Sequence, residues 1–384
     1  MLLGRFCLDP QHLEPYRCME KQRRTATPGG QEDNTMDDAA PGLGRGERAP
    51  DFVLPGPDGT PLRFYARAGG TPTVLVFCDA SATAGLRSFA AALRQAAGAD
   101  LNILAVTRAG ATPQESKGGG VPFPVFTADP AGQVEAAYRL GGTAPVCCVL
   151  DPNLRVLGTI PLHSAATTAQ RVVSLVHEAT PPIAPRDIVI QAPVLLIPNV
   201  LDRTICDVLI QIWKRQGHDE TGVEESQTGR RITIVNHRAK SRSDHTVTDP
   251  KLLRLLSTTI GRRVLPEVRK AFAYVATRFE GFKIACYDAE AGGFFSPHRD
   301  NLSPATAHRR FALTLNLNDG YEGGSLRFAE YCPHLYRPRP GEAIIFSGAM
   351  LHEVTPVTSG QRFTLLSFLY GEEGTRGSAC KVGS

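Results

Sequence analysis

The sequence of 384 residues has no Cys-x-x-Cys pair, no apolar run near the roughly 20 residues of a membrane span, and almost no net charge, +4 from 42 basic and 38 acidic residues. Each absence removes a class of protein. Nine cysteines, an odd number without metal-type spacing, encode neither a disulfide framework nor a cysteine zinc site, and read as buried reduced thiols. Balanced charge gives no electrostatic reason for a nucleic-acid partner. Without a spanning run, and with too short an apolar stretch in MLLGRFCLDPQH for a secretory leader, the expectation is a cytoplasmic protein with no membrane partner.

What is present is a soluble composition, 42% hydrophobic and 21% charged, over a length that favours two domains. Residues 1–44 are polar and aperiodic and read as a disordered tail, with Met36 a second candidate start. From 45 to 178 apolar runs alternate with helical spacing: TVLVFC, LRSFAAALRQAA, LNILAV, VEAAYRL, VCCVLD. That alternation predicts an α/β domain. Prolines in ATPPIAPRDIVIQAP predict a stiff linker over 179–192.

A second domain is expected over 193–371, followed by a tail at 372–384. Asp202 and Asp249-Pro250 are predicted to open helices, the second running to about Val275. After Phe279 the period becomes two, as in FALTLNL, with turns such as NDGYEGG. The prediction is a sandwich or jelly roll, a double-stranded β-helix, with flanking helices. The polar stretch 217–247 is too long for an ordinary connector. It reads equally as a mobile lid offering Arg230, Arg231, Arg238, Lys240 and Arg242 to substrate, or as a solvated excursion.

Within the core at 279–371, FFSPHRDN places His298 and Asp300 two apart. An H-x-D pattern is common, but FKIACY ahead of it reads as strand. Residues i and i+2 of a strand share a face, so imidazole and carboxylate converge if the extended state persists to residue 300. His352, after the run GEAIIF, supplies a third ligand. Two histidines and one carboxylate on one face are the ligand set of a non-haem Fe(II) site with open positions. Arg362 and Thr364 share a face of RFTLLSFLY, and an arginine clamps a carboxylate at two points. His245, His308 and His334 fall outside the pattern and carry no assigned role.

The ordered segments ACYDAEAGGFFSPHRDN, LNLNDGYEGGSLRF and GEAIIFSGAMLHEVTPVTSGQRF resemble the prolyl 4-hydroxylase group of Fe(II)/2-oxoglutarate dioxygenases. The resemblance implies that His298, Asp300 and His352 hold Fe(2+). It implies that Arg362, Tyr287 and Thr364 bind 2-oxoglutarate. It also implies O2 as cosubstrate, L-ascorbate as an accessory, and hydroxylation of a prolyl or other amino-acid side chain, peptidyl or free, with release of succinate and CO2. Where some relatives carry a second cosubstrate-binding tyrosine, this chain has Asn316, which puts contacts on that side in question.

The front segments, GERAPDFVLPGPDGTPLRF, TVLVFCDASATAG, PFPVFTADPAGQVEAAY and GGTAPVCCVLDPNLRVLG, resemble peroxiredoxins of the thioredoxin-like fold. That resemblance implies a cis Ala144–Pro145 bond. It also places Leu86 where the family carries its peroxide-attacking cysteine, three residues after Thr83. The front domain is therefore expected to be redox-dead and to serve binding or protein docking. Two rival functions stay open: a thiol peroxidase or reductase, and a non-catalytic binding protein with a vestigial iron site.

Overall fold

The computed structural model describes residues 42–371 except 56–58, 80–82, 98–100, 109–124, 130–131, 142–144, 180–183, 221–222, 228–229 and 235–237. The front part is built on a five-stranded sheet in the order Val125–Asp129, Asn102–Arg108, Thr73–Cys78, Val146–Leu150, Val156–Pro161. Its central strand pairs parallel to Asn102–Arg108 and antiparallel to Val146–Leu150. This mixed sheet is the thioredoxin-like arrangement expected from the sequence.

TVLVFC is buried along its whole length because both sheet faces are covered. Val74, Val76 and Cys78 meet Phe89, Leu93 and Val172 from the helices Thr83–Ala97 and Ala165–Ala179. Leu75 and Phe77 turn the other way, toward Phe52, Phe64 and Tyr138. The same alternation sends Cys147 and Cys148 to opposite faces. Leu86 is buried in the helix-side core, 3% exposed, so the position matched to a nucleophile does packing work. Burial pushes the Cys148 thiol up to about 12 and raises that of Cys147 as well. The Ala144–Pro145 bond lies outside the described residues.

The rest of the chain forms two facing antiparallel sheets, the expected jelly roll. The major sheet runs Leu195–Ile197, Ala343–Ser347, Phe311–Asn316, Gln361–Tyr370, Lys283–Asp288, Ser243–Thr246, Asp219–Glu220. The minor sheet runs Lys240–Ser241, Phe294–His298, His352–Val354, Leu326–Arg327, Leu335–Tyr336. On the outer face of the major sheet, Ile284, Cys286, Leu313, Leu315, Phe363 and Leu365 pack against the helices Arg203–Gln216 and Pro250–Phe272. Each such leucine contributes roughly 2 kcal/mol by burial. On the inner face Tyr287, Ala312, Ile344 and Phe346 meet Leu326, Phe328 and Val354 between the sheets.

Helix starts follow the sequence signals unevenly. The Asp249 carboxylate accepts from Leu252 N–H and Pro250 takes the first turn, so this helix is capped as expected. It ends at Phe272, with Ala273 in the left-handed region, rather than at Val275. Asp202 sits at the predicted N-cap without a side-chain cap bond. No helix among the described residues is long and apolar enough to cross a membrane.

The two parts are tied together by burial rather than by the chain connection alone. Gly46 adopts φ +83, and a Cβ there would lie 2.0 Å from the Asn199 carbonyl oxygen, so only glycine permits this approach. Arg155, 1% exposed, donates to the carbonyls of Gly46 and Pro198. Arg48 donates twice to the buried Glu267 carboxylate (2.9 and 2.8 Å), which also accepts from Asn153 Nδ2 at 2.7 Å. Beside this network lies a cleft of about 810 Å³ lined from both parts, by Tyr65, Gly70, Pro266 and Lys270 among others.

Glu267→Ala leaves Arg48 without its carboxylate in a largely buried place, and should lower stability by about 3 kcal/mol, read from chemical denaturation. In alkylation mapped by mass spectrometry, native Cys148 should stay unlabelled at pH 8, where about one thiol in ten thousand with a pKa near 12 is ionised, and label fully once unfolded.

Candidate active site

The strands Phe294–His298 and His352–Val354 pair so that His298 stands directly opposite His352, with a register shift between Phe295 and His298. The strand ends at His298, so Asp300 does not reach the site by the expected i, i+2 alternation. It lies in the following turn, where its N–H donates to the Gly348 carbonyl at 2.8 Å, and that bond turns the carboxylate back. The outcome is the convergence expected from sequence by a different route. Asp300 Oδ1 lies 3.6 Å from His298 Nε2, and Oδ2 lies 3.5 Å from His352 Nε2. The three candidate ligand atoms all fall within 4.8 Å of one another.

Both imidazoles are oriented from behind. His298 Nδ1–H donates to the Ser296 carbonyl at 2.8 Å, and His352 Nδ1–H to that of Met350 at 3.0 Å. Each ring therefore turns its Nε2 toward the common point. Phe295 stacks on His298 with centroids 3.5 Å apart, and Phe346 packs edge-on to His352. Burial, with His352 adding to it, lowers the His298 pKa to about 3, so the ring is neutral. Burial raises the Asp300 carboxyl against the pull of His352, Arg309 and Arg242. Asp300 Oδ2 is buried without a hydrogen-bond partner. Two imidazoles and a partly unsatisfied carboxylate around one point fit a divalent transition metal.

A second set lies on the inner face of the major sheet. Tyr287 is opposite Arg362, and Asn316 is opposite Thr364. Arg362 is 2% exposed, yet its Nε and one Nη have no partner; neither has the Thr364 hydroxyl. A guanidinium buried in this way is costly unless an anion meets it. Gly324 makes room for it: its φ is +62, and a Cβ there would lie 2.9 Å from Arg362 Cδ. The two sets open into the same inter-sheet interior, because Tyr287, Phe346 and Val354 share one apolar cluster.

Sequence reasoning missed the partners of these residues. Arg242 is not a substrate-facing lid residue: it is fixed by two 2.7 Å bonds to Asp244 and donates to the Tyr287 hydroxyl at 3.3 Å. Burial works against the Asp244 charge, but the Arg242 fork outweighs it and holds the carboxyl below its usual range. Lys240 is buried beside Phe295, and burial with Arg242 nearby lowers its pKa to about 7. Lys240–Ser241 are thus paired to Phe295 and Phe294 in the site wall, and Ser243–Thr246 are paired to Lys283–Cys286. Arg230 and Arg231 lie on a hairpin, Val223–Gln227 with Arg230–Ile234, that does not pair with either sheet. The alternation of Arg242 and Asp244 in KSRSDHT was the available signal. At the Asn316 position, Nδ2 donates to the carbonyls of Asn318 and Pro338 and Oδ1 accepts from the Tyr321 hydroxyl at 3.0 Å. That amide is fully used in holding the turn.

Residues 282–370 match the family model for the 2OG-Fe(II) oxygenase superfamily, which marks this part of the chain as a 2OG-Fe(II) oxygenase domain. A PKHD-type hydroxylase from Bordetella pertussis is 34% identical over 110 residues, covering 26% of this chain and 44% of that protein. The chain thus spans about half the length of the curated relatives it matches. Among solved structures, a Pseudomonas putida prolyl-4-hydroxylase is similar at TM-score 0.36 and 18% identity, over 47% of this chain and 93% of that one. Peroxidoxin BcpB from Mycobacterium tuberculosis is similar at TM-score 0.29 and 20% identity, over 35% of this chain and 97% of that one.

The protein should bind one equivalent of Co(II) or Fe(II) under anaerobic titration. Asp300→Ala should weaken that binding by at least about 100-fold, beyond what loss of an outer-shell partner causes, with the far-UV spectrum unchanged.

Proposed function

We propose that the chain is an Fe(II)- and 2-oxoglutarate-dependent dioxygenase that hydroxylates a C–H bond of an amino-acid side chain, free or within a peptide, with prolyl the family expectation. One observation carries the reading. Three convergent ligand atoms and the unpartnered donors of Arg362 and Thr364 lie in the same inter-sheet interior. A metal alone would leave Arg362 unanswered, and an anion alone would leave His298, Asp300 and His352 without a purpose.

In this reading His298, Asp300 and His352 hold the iron, and Arg362 forks onto the distal carboxylate of 2-oxoglutarate, with Thr364 and Tyr287 donating beside it. When bound, iron and cosubstrate supply O2-dependent C–H hydroxylation coupled to conversion of 2-oxoglutarate into succinate and CO2. The chain contributes position and dryness. Phe295, Phe328 and Phe346 line the histidines and keep water from the metal side. Ascorbate would be an accessory reductant, as the family resemblance implies.

The thiol-peroxidase alternative finds little support among the described residues. Leu86 is buried at the matched position, and Cys78, Cys147 and Cys148 are buried in the sheet.

Succinate release from 2-oxoglutarate should require Fe(II) and fall to background in Asp300→Ala. Arg362→Ala should raise the half-saturating 2-oxoglutarate concentration by about 100-fold, the loss of two charge-assisted hydrogen bonds. Equal succinate release by Asp300→Ala and the unaltered protein would end the enzyme reading.

A further inference from the structure

We propose that Arg242, clamped by Asp244, is a positioning residue that fixes the Tyr287 hydroxyl as a hydrogen-bond donor toward 2-oxoglutarate. The inference rests on the cosubstrate reading above and extends it to a residue outside the motif.

A guanidinium has donors only, and a phenol has one proton and an oxygen that accepts. Arg242 Nη1 donates to Tyr287 Oη at 3.3 Å, so it occupies a lone pair of that oxygen. The phenol proton must point elsewhere, and among the described residues no protein group accepts it. Arg362 cannot, since its guanidinium carries donors alone and stands 5.3 Å from the Tyr287 ring. The open direction therefore calls for an acceptor on a ligand, which a carboxylate oxygen supplies.

Arg242 is poorly suited to bind an anion itself. Both oxygens of Asp244 already take its Nε and Nη2 at 2.7 Å, so its charge is answered inside the fold. Among the described residues, Arg362 is a buried cation on this sheet face whose Nε and Nη1 lack partners. Arg242 also faces the Tyr287 and Phe295 rings, each 5.7 Å from its Cζ, and Phe295 is the ring stacked on His298. Its side chain is therefore fixed on three sides: by Asp244, by the phenol and by the wall of the metal site. Tyr287 is in turn held on its strand opposite Arg362. The carboxylate, the guanidinium and the phenol form a chain of fixed donors that ends inside the pocket.

A double-mutant cycle tests this by binding rather than turnover. 2-Oxoglutarate is titrated calorimetrically into the Zn(II)-loaded protein and into Arg242→Gln, Tyr287→Phe and the double variant. Each single change should weaken binding about tenfold, the loss of one directed hydrogen bond. The double variant should bind no more weakly than either single, since both remove the same donor. A double variant weakened by the product of the two single effects, about 100-fold, would overturn the inference, as would an Arg242→Gln protein that binds like the unaltered one. If Arg242→Gln fails to fold, Arg242→Lys keeps the charge beside Asp244, loses the planar fork, and runs through the same cycle. Absence of any 2-oxoglutarate binding by the unaltered Zn(II) protein would instead sink the cosubstrate reading, and this inference with it.

Discussion

Side chains on an extended strand point alternately to opposite faces, and one strand of ten residues, Gln361–Tyr370, divides two interiors by that rule. Phe363 and Leu365 lie in the core shared with the helices, where Trp213 meets Phe363 edge-on. Arg362 and Thr364 face the space between the sheets. A shift of one residue would put a guanidinium into the apolar core and a phenylalanine into the pocket. The register against Lys283–Asp288 and Phe311–Asn316 therefore decides at once whether the outer core packs and whether the pocket is polar. Tyr287, Asn316 and the space kept by Gly324 all inherit their places from this register.

The metal side is governed by a different constraint. Its histidines are paired across two short strands, but the carboxylate arrives on a turn. Turn geometry needs an anchor, and the backbone bond from Asp300 to Gly348 supplies it. The site thus depends on sheet pairing for two ligands and on a loop-to-loop bond for the third. The first histidine strand is also bordered by Lys240–Ser241, so the polar excursion before it stiffens the site from outside.

Much of this was legible in the sequence because period two is a simple rule. FALTLNL and RFTLLSFLY announced their faces, and His298, Asp300, His352, Arg362, Tyr287 and Thr364 all lie where the chain brings chemistry together. The legibility stopped at pairing. KSRSDHT shows a cation and a carboxylate two apart, but only the structure shows them locked in a fork and buried, so the stretch read equally as a lid or as a solvated excursion. Asp300 was expected to arrive by strand alternation, and a turn did the work instead. In the front part, alternation of the apolar runs revealed the sheet. The contacts of Arg48, Arg155 and Gly46 with the second part left no signal, because a lone surface-type arginine and an arginine that joins two lobes look alike in a sequence.

Those contacts bear on how the chain is made. Arg48 leaves the ribosome 219 residues before Glu267. At ordinary synthesis rates the interval is roughly 10–45 s. The last strand of the front sheet, Val156–Pro161, emerges only about midway through that interval; the Gly46 N–H can then donate to the Val156 carbonyl, while the Arg48 guanidinium still lacks its carboxylate. The Arg48 charge is thus met by its carboxylate only when the helix carrying Glu267 emerges. Order of synthesis leaves to the second part the answer to one largely buried charge of the first.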